Sequence, residues 1–140
     1  MTNVVFDGIL KVKLSDEQIS FIEQLDLPVE AVRLKKKYLH VTLIHQSFLK
    51  EYRSVLKEKS KNGELLEVPD IVFESSVNVR TDACLGRKSW VLWVQNQLDL
   101  RSYVERFMED LTGMRSSPEP DRVFHVSVAN LTGNRGDSVR

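Results

Sequence analysis

One cysteine in 140 residues, Cys84, excludes an internal disulfide and a cluster of thiolate ligands, and makes a reducing compartment the natural home of this chain. Neither sign of charge is in excess: 20 Lys and Arg balance 20 Asp and Glu, for a formal net charge of zero. Neutralising the phosphates of a long duplex takes a basic surface, so duplex DNA is not an expected partner, whereas a small or single-stranded ligand stays compatible. No apolar run approaches the length that crosses a bilayer. Met1 leads into Thr-Asn-Val-Val-Phe-Asp rather than a basic start, an apolar core and a small-residue cleavage site. These absences predict a cytoplasmic protein with no membrane partner. What is present is ordinary: 41% hydrophobic and 29% charged residues, in a length sized for a single domain over residues 1–140.

Histidine is scarce as well, yet two of the three share one repeated phrase. Tyr38-Leu39-His40-Val41-Thr42-Leu43 returns as Val123-Phe124-His125-Val126-Ser127-Val128. Each phrase alternates as a strand does, so His40 and Thr42 share one face while Leu39, Val41 and Leu43 share the other; His125 and Ser127 stand likewise opposite Phe124, Val126 and Val128. Burial of the aliphatic face would hold the imidazole and the hydroxyl rigidly on the opposite side. The copies are 85 residues apart, too far for a local turn, which predicts two halves of one domain contributing equivalent strands to a shared cleft. A third formal match, His45-Gln46-Ser47, lacks the aliphatic frame. Ser47 there reads as the cap of a helix, and His45 as a strand-end or loop residue.

The rest of the chain alternates strand and helix signals. Val4 to Leu14 reads as one half-buried strand, and Ser15-Asp16-Glu17-Gln18 as a capping box opening a helix that Pro28 closes. Lys35-Lys36-Lys37 reads either as a solvated edge or as a phosphate-attracting rim beside His40. A second helix carries Phe48, Leu49, Tyr52, Val55 and Leu56 and ends at Asn62-Gly63. Residues 71–95 read as an antiparallel hairpin turning at Leu85-Gly86-Arg87, with Trp90 and Trp93 on opposite faces, one in the core and the other either core as well or able to present an indole to a base. Arg80, Arg87 and Lys88 read as solvated or as a phosphate clamp. Leu100, Tyr103, Val104, Phe107, Met108 and Leu111 mark a third helix up to Gly113, and Met114 to Arg122 a loop. Asn130-Leu131-Thr132 and Arg135-Gly136-Asp137 match a glycosylation acceptor and an adhesion tripeptide, and both are set aside for a cytosolic chain. The order of elements predicts an α+β domain with helices packed outside antiparallel sheets.

Two imidazoles facing one gap can divide the work of breaking a phosphodiester, one withdrawing a proton from the attacking oxygen and the other donating to the leaving oxygen. The hydroxyls of Thr42 and Ser127, two positions on, can donate to the phosphate oxygens that gather charge. No metal is needed for this division of labour. A site built on a histidine-bound metal, with Asp82 and Cys84 approaching, is the weaker alternative.

On these residues the pair His40-Val41-Thr42 and His125-Val126-Ser127 resembles the two-histidine (2H) phosphoesterase superfamily, the LigT-like group marked by two copies of hydrophobic-His-x-Thr/Ser-hydrophobic. The resemblance implies a two-lobed, pseudo-symmetric fold with antiparallel sheets around a central cleft. It implies metal-independent and cofactor-free hydrolysis of a 2′,3′-cyclic phosphate or related diester on an RNA end, a 2′-5′ oligonucleotide or a cyclic oligonucleotide. His40, Thr42, His125 and Ser127 would be catalytic, with His125 activating water and His40 protonating the 2′ oxygen, or the reverse. Tyr38, Trp90, Trp93, Arg80, Arg87 and Lys88 are the candidate substrate contacts. The expected partner is a small nucleotide or single-stranded RNA end, and the expected state is a monomer. A nucleotide-binding module that keeps the cleft without turnover is the alternative from another class.

Overall fold

In a computed structural model that describes residues 4–139, the alternating stretch at the start of the chain is not one strand but a hairpin of β1 (Val4–Phe6) and β2 (Leu10–Lys13). Gly8 lies in the turn at φ 107°, a backbone conformation that L side chains rarely adopt, and it breaks a pattern whose parity runs unbroken on either side. Residues 1–3, the start of the leader reading, lie outside the described residues. The capping box forms as expected: Ser15 accepts from the Gln18 backbone, and the Gln18 side chain accepts from the Ser15 backbone, at the start of α1 (Asp16–Glu23).

The two repeated phrases become β4 (His40–Ile44) and β7 (His125–Asn130), preceded on the first side by the short β3 (Val32–Arg33). The second helix begins later than its apolar stripe suggests, as α2 (Arg53–Lys61), because residues 46–52 wind into two 3-10 turns. Nor does Ser47 act as its cap; the His45 side chain instead accepts from the Ser47 backbone. The first arm of the hairpin predicted over 71–95 reduces to β5 (Asn78–Asp82), since the chain pairs at Phe73 with Val94 and then bends at Ser75 and Ser76. Its partner is β6 (Arg87–Trp93), and α3 (Gln97–Thr112) follows, ending on Gly113 in the left-handed region.

All strand pairings are antiparallel, and they make one open seven-stranded sheet in the order β1-β2-β4-β7-β6-β5, with β3 on β7 beyond the end of β4. The fold is α+β, and one continuous sheet carries both histidine phrases. A row of apolar side chains, Val4, Val12, Val41, Val126 and Leu92, crosses five of these strands in register. That face joins Ile22 of α1, Leu56 of α2 and Leu100, Tyr103, Val104, Phe107 and Met108 of α3 in one core. Each such aliphatic side chain contributes about 1.5–3 kcal/mol on burial, so the register of the central strands is strongly fixed. No helix among the described residues is long and apolar enough to cross a membrane.

Candidate active site

The centre of the sheet is the pairing of Val41 with Val126, both 0% exposed. One step either way in antiparallel register sets His40 beside Ser127 and Thr42 beside His125, with all four side chains on the face that Val41 and Val126 leave. Each imidazole therefore neighbours the other phrase's hydroxyl, and the two imidazoles lie on a diagonal, a relation that spans about 7–8 Å in a regular pair. All four residues are half-buried. The rows continue into the flanking strands: Lys11 is the register partner of Thr42 and Lys13 of His40, while Trp93 is the partner of His125 and Val91 of Ser127.

The two rings are held the same way. His40 Nδ1 donates to the carbonyl of Tyr38 at 2.8 Å, and His125 Nδ1 donates to the carbonyl of Val123 at 3.0 Å. A carbonyl can only accept, so both rings carry their proton on Nδ1 when neutral and direct Nε2 away from their own strand. The second phrase is further clamped by Gln97 at the start of α3. Its amide donates to Val94 and Phe124 carbonyls, each at 2.7 Å, and accepts from the Phe124 backbone at 2.8 Å.

The rings differ at Nε2. His125 Nε2 accepts from Arg80 Nη1 at 3.1 Å, and Trp93 meets that ring edge-on at 5.5 Å while Arg80 lies 5.8 Å over the indole. His40 Nε2 takes no hydrogen bond from the described residues. Both imidazoles are biased toward neutrality. Burial pushes His125 down to about 4, the Val123 carbonyl opposes this, and the charges of Arg80, Arg122 and His40 add to it. Burial also lowers His40, with Lys11 and Arg135 acting in the same sense and the Tyr38 carbonyl and Asp7 against it. Lys11, its side chain only 14% exposed, is held by Asp7 at 2.7 Å, and Arg122 is held by Glu119 at 3.0 Å. Four cations, two of them paired with carboxylates, thus surround two rings biased toward neutrality, an arrangement suited to an anion.

Of the sequence-predicted contacts, the structure gathers Arg80, Trp93 and Tyr38 about the imidazoles. Tyr38 supplies the carbonyl to His40, and its ring lies 5.1 Å from both Lys37 Nζ and Arg135 Cζ. Trp90 is not among them: it is 2% exposed, packed in the core under Lys88. Nor are Arg87 and Lys88, which precede Trp93 on β6 by six and five residues, roughly 16–20 Å of strand. Lys88 pairs with Glu30 at 3.2 Å, and Arg87 lines a separate hollow of about 320 Å³ with Leu85, Gly86, Leu131, Thr132 and Asp137. A β-bulge between Trp90 and Val91 shifts the β6–β7 register, which is why the start of β6 does not follow the parity of its end.

Sequence reasoning missed Lys11, Arg122 and Arg135. Lys11 was legible only as a wet-face residue of a strand, because its pairing with Thr42 depends on sheet order. Arg135 falls in a tripeptide that reads in sequence only as an adhesion match, and it reaches Tyr38 because the turn after β7 is built around Asn130. That side chain is 0% exposed, donates to Asn134 O and Ser138 Oγ, and accepts from the backbones of Thr132 and Gly133, so the glycosylation match is a structural asparagine. The His45 ring binds Ser47, while its backbone donates to Glu119, the carboxylate that holds Arg122; Asp82 accepts from the Cys84 backbone at the far hairpin turn. No three His, Cys, Asp or Glu residues among the described ones gather as a metal-ligand set. Comparisons with protein-family models, curated proteins and solved structures find no match to this chain.

Proposed function

We propose that the protein is a metal-independent phosphodiesterase acting on a 2′,3′-cyclic phosphate or a related nucleotide diester. The observation that carries this reading is the diagonal pair of imidazoles, each fixed through Nδ1 to a carbonyl two residues upstream, with a hydroxyl beside each ring. In the same reading, β1, β2 and β4 form one lobe and β7, β6 and β5 the other, with the cleft over the Val41–Val126 seam.

The asymmetry at Nε2 favours one division of roles. His125, neutral above about pH 4, takes the proton of the attacking water, once Arg80 leaves Nε2 for a phosphate oxygen. The water oxygen forms its bond to phosphorus as the bond to the 2′ oxygen breaks. His40, lowered by burial and Lys11 while the Tyr38 carbonyl and Asp7 favour its charged form, gives its Nε2 proton, when protonated, to that 2′ oxygen. Thr42 and Ser127 donate to the non-bridging oxygens. The proton taken by His125 and the one given by His40 balance, and exchange with solvent resets the pair.

Arg80 on the Nε2 of His125 also supports a second reading, a nucleotide-binding module in which that contact persists. Incubation with 2′,3′-cyclic mononucleotides, cyclic-phosphate-ended RNA, 2′-5′ oligoadenylate and cyclic dinucleotides, with chelator present, separates the two. A phosphomonoester product from any of them is expected. Raised thermal stability with ligand but no product on prolonged incubation would favour the binding module.

A further inference from the structure

The cations around the two imidazoles are not equivalent. On the His125 side Arg122 is paired with Glu119 and Arg80 is engaged with His125 and Trp93. On the His40 side Lys11 is paired with Asp7, but Lys37 and Arg135 make no ion pair with any described residue. Instead both lie 5.1 Å from the single ring of Tyr38. Two like charges held at one ring, neither ion-paired to a described carboxylate, repel each other, and the ring's negative face offsets only part of that. Arg135 is not there by chance of a loose tail. Asn130 ties the turn internally, Asn134 caps Gly136 at 2.9 Å, Thr132 bonds Asp137 at 2.6 Å and the Val139 backbone donates to buried Ser89 at 2.7 Å. Tyr38, the residue whose ring Arg135 lies over, is also the one whose carbonyl accepts from His40 Nδ1 at 2.8 Å, which ties this pair of cations to the His40 side.

We infer that Lys37 and Arg135, presented over Tyr38, form a second phosphate subsite that receives a phosphate on the 5′ oxygen of the ribose whose cyclic phosphate is opened. The inference rests on the proposed hydrolase reading and on its division of roles. If His40 protonates the 2′ oxygen, the ribose carrying that oxygen lies on the His40 side, and whatever is attached to its 5′ oxygen extends toward the unpaired cations. A guanidinium and an ammonium suit a phosphate there, through charge-assisted hydrogen bonds. The preferred substrate is accordingly an oligonucleotide end or a 5′-phosphorylated nucleotide, and a nucleoside cyclic phosphate with a free 5′ hydroxyl is a poor one.

The test compares kcat/KM for three compounds: a nucleoside 2′,3′-cyclic phosphate, the same compound with a 5′-phosphate monoester, and a dinucleotide in which the 5′ phosphate is an internucleotide diester. Wild-type protein should prefer at least one phosphorylated form by about tenfold or more, the worth of one charge-assisted contact, and the larger preference identifies monoester or diester as the natural source. Arg135→Gln and Lys37→Gln should each shrink the preference ratio, and together bring it close to one, whereas Arg135→Lys should retain part of it. The ratio is read within each variant, so a change in overall rate or yield of folded protein does not obscure it. Equal turnover of all three compounds by wild type, or a preference unmoved by the double variant, would overturn the subsite alone. Turnover of none of them would overturn the hydrolase reading and the subsite with it.

Discussion

His40 and His125 make the same hydrogen bond, Nδ1 to the carbonyl of the residue two positions upstream, at 2.8 and 3.0 Å on two strands that meet at the middle of the sheet. A histidine that is merely accommodated in a strand has no reason to repeat the tautomer, the upstream acceptor and the hydroxyl neighbour of another. The repetition fixes which nitrogen of each ring points away from its own strand, and the chemistry proposed above uses that nitrogen in both.

The hydroxyls are the mildest test of that chemistry. Thr42→Ala and Ser127→Ala should each lower kcat by roughly 10²–10³-fold if the hydroxyl stabilises developing phosphate charge, with KM changed little. Thr42→Ser, which keeps the donor, should stay close to wild type. Steady-state kinetics on the best compound of the panel decides it; an unaltered kcat in both alanine variants would remove the hydroxyls from the mechanism.

Burial lowers His40 and Lys11, in register with Thr42, lowers it further, so Lys11 helps to set where the proposed acid loses its proton. On the proposed mechanism, His125 of the free protein is an available base above about pH 4, and His40 is an available acid only below its lowered pKa. The profile of kcat/KM against pH should therefore be a bell on the acid side of neutrality, with two apparent pKa values belonging to the pair. Lys11→Met removes a charge that disfavours the imidazolium, and should move the falling limb to higher pH. A limb that stays in place or moves down would show that Lys11 does not act on the acid.

His125 also links stability to pH. Its folded-state value of about 4 lies below the roughly 6.5 of an unfolded chain, so between those values the unfolded state binds the extra proton. The contribution is intact above about 6.5, falls as pH drops through that window, and is fully lost below about 4. A His125→Asn variant lacks this proton. Its Tm should fall less than that of wild type between pH 7 and 4.5; parallel falls would mean that the imidazole is not held neutral.

Much of the site was legible because the two phrases carry their own frame: alternation alone sets Val41 and Val126 inward and the His and Thr/Ser pairs outward. The capping box at Ser15 and the stripe of α3 were legible for the same reason, since each is decided within one turn or one helix face. What alternation does not contain is pairing. Gly8 divides one apparent strand into two, the bulge at Trp90 and Val91 shifts β6 against β7, and Lys11 reaches the site only because β2 lies beside β4. For the same reason Trp90 and Trp93 were distinguishable in sequence as opposite-facing but not as core and site. Arg135 was hidden by its distance from either phrase, and only the side-chain knot of Asn130 returns it to Tyr38.

The most direct measurement is the rate of cyclic phosphate hydrolysis by wild type, His40→Ala and His125→Ala, all checked for folding and all assayed with chelator. Loss of a general acid or base of this kind costs about 10²–10⁴-fold, and each single variant should lose at least that while the double variant loses little more, because the two rings act on one proton cycle. Hydrolysis by either single variant within a few-fold of wild type would contradict the account.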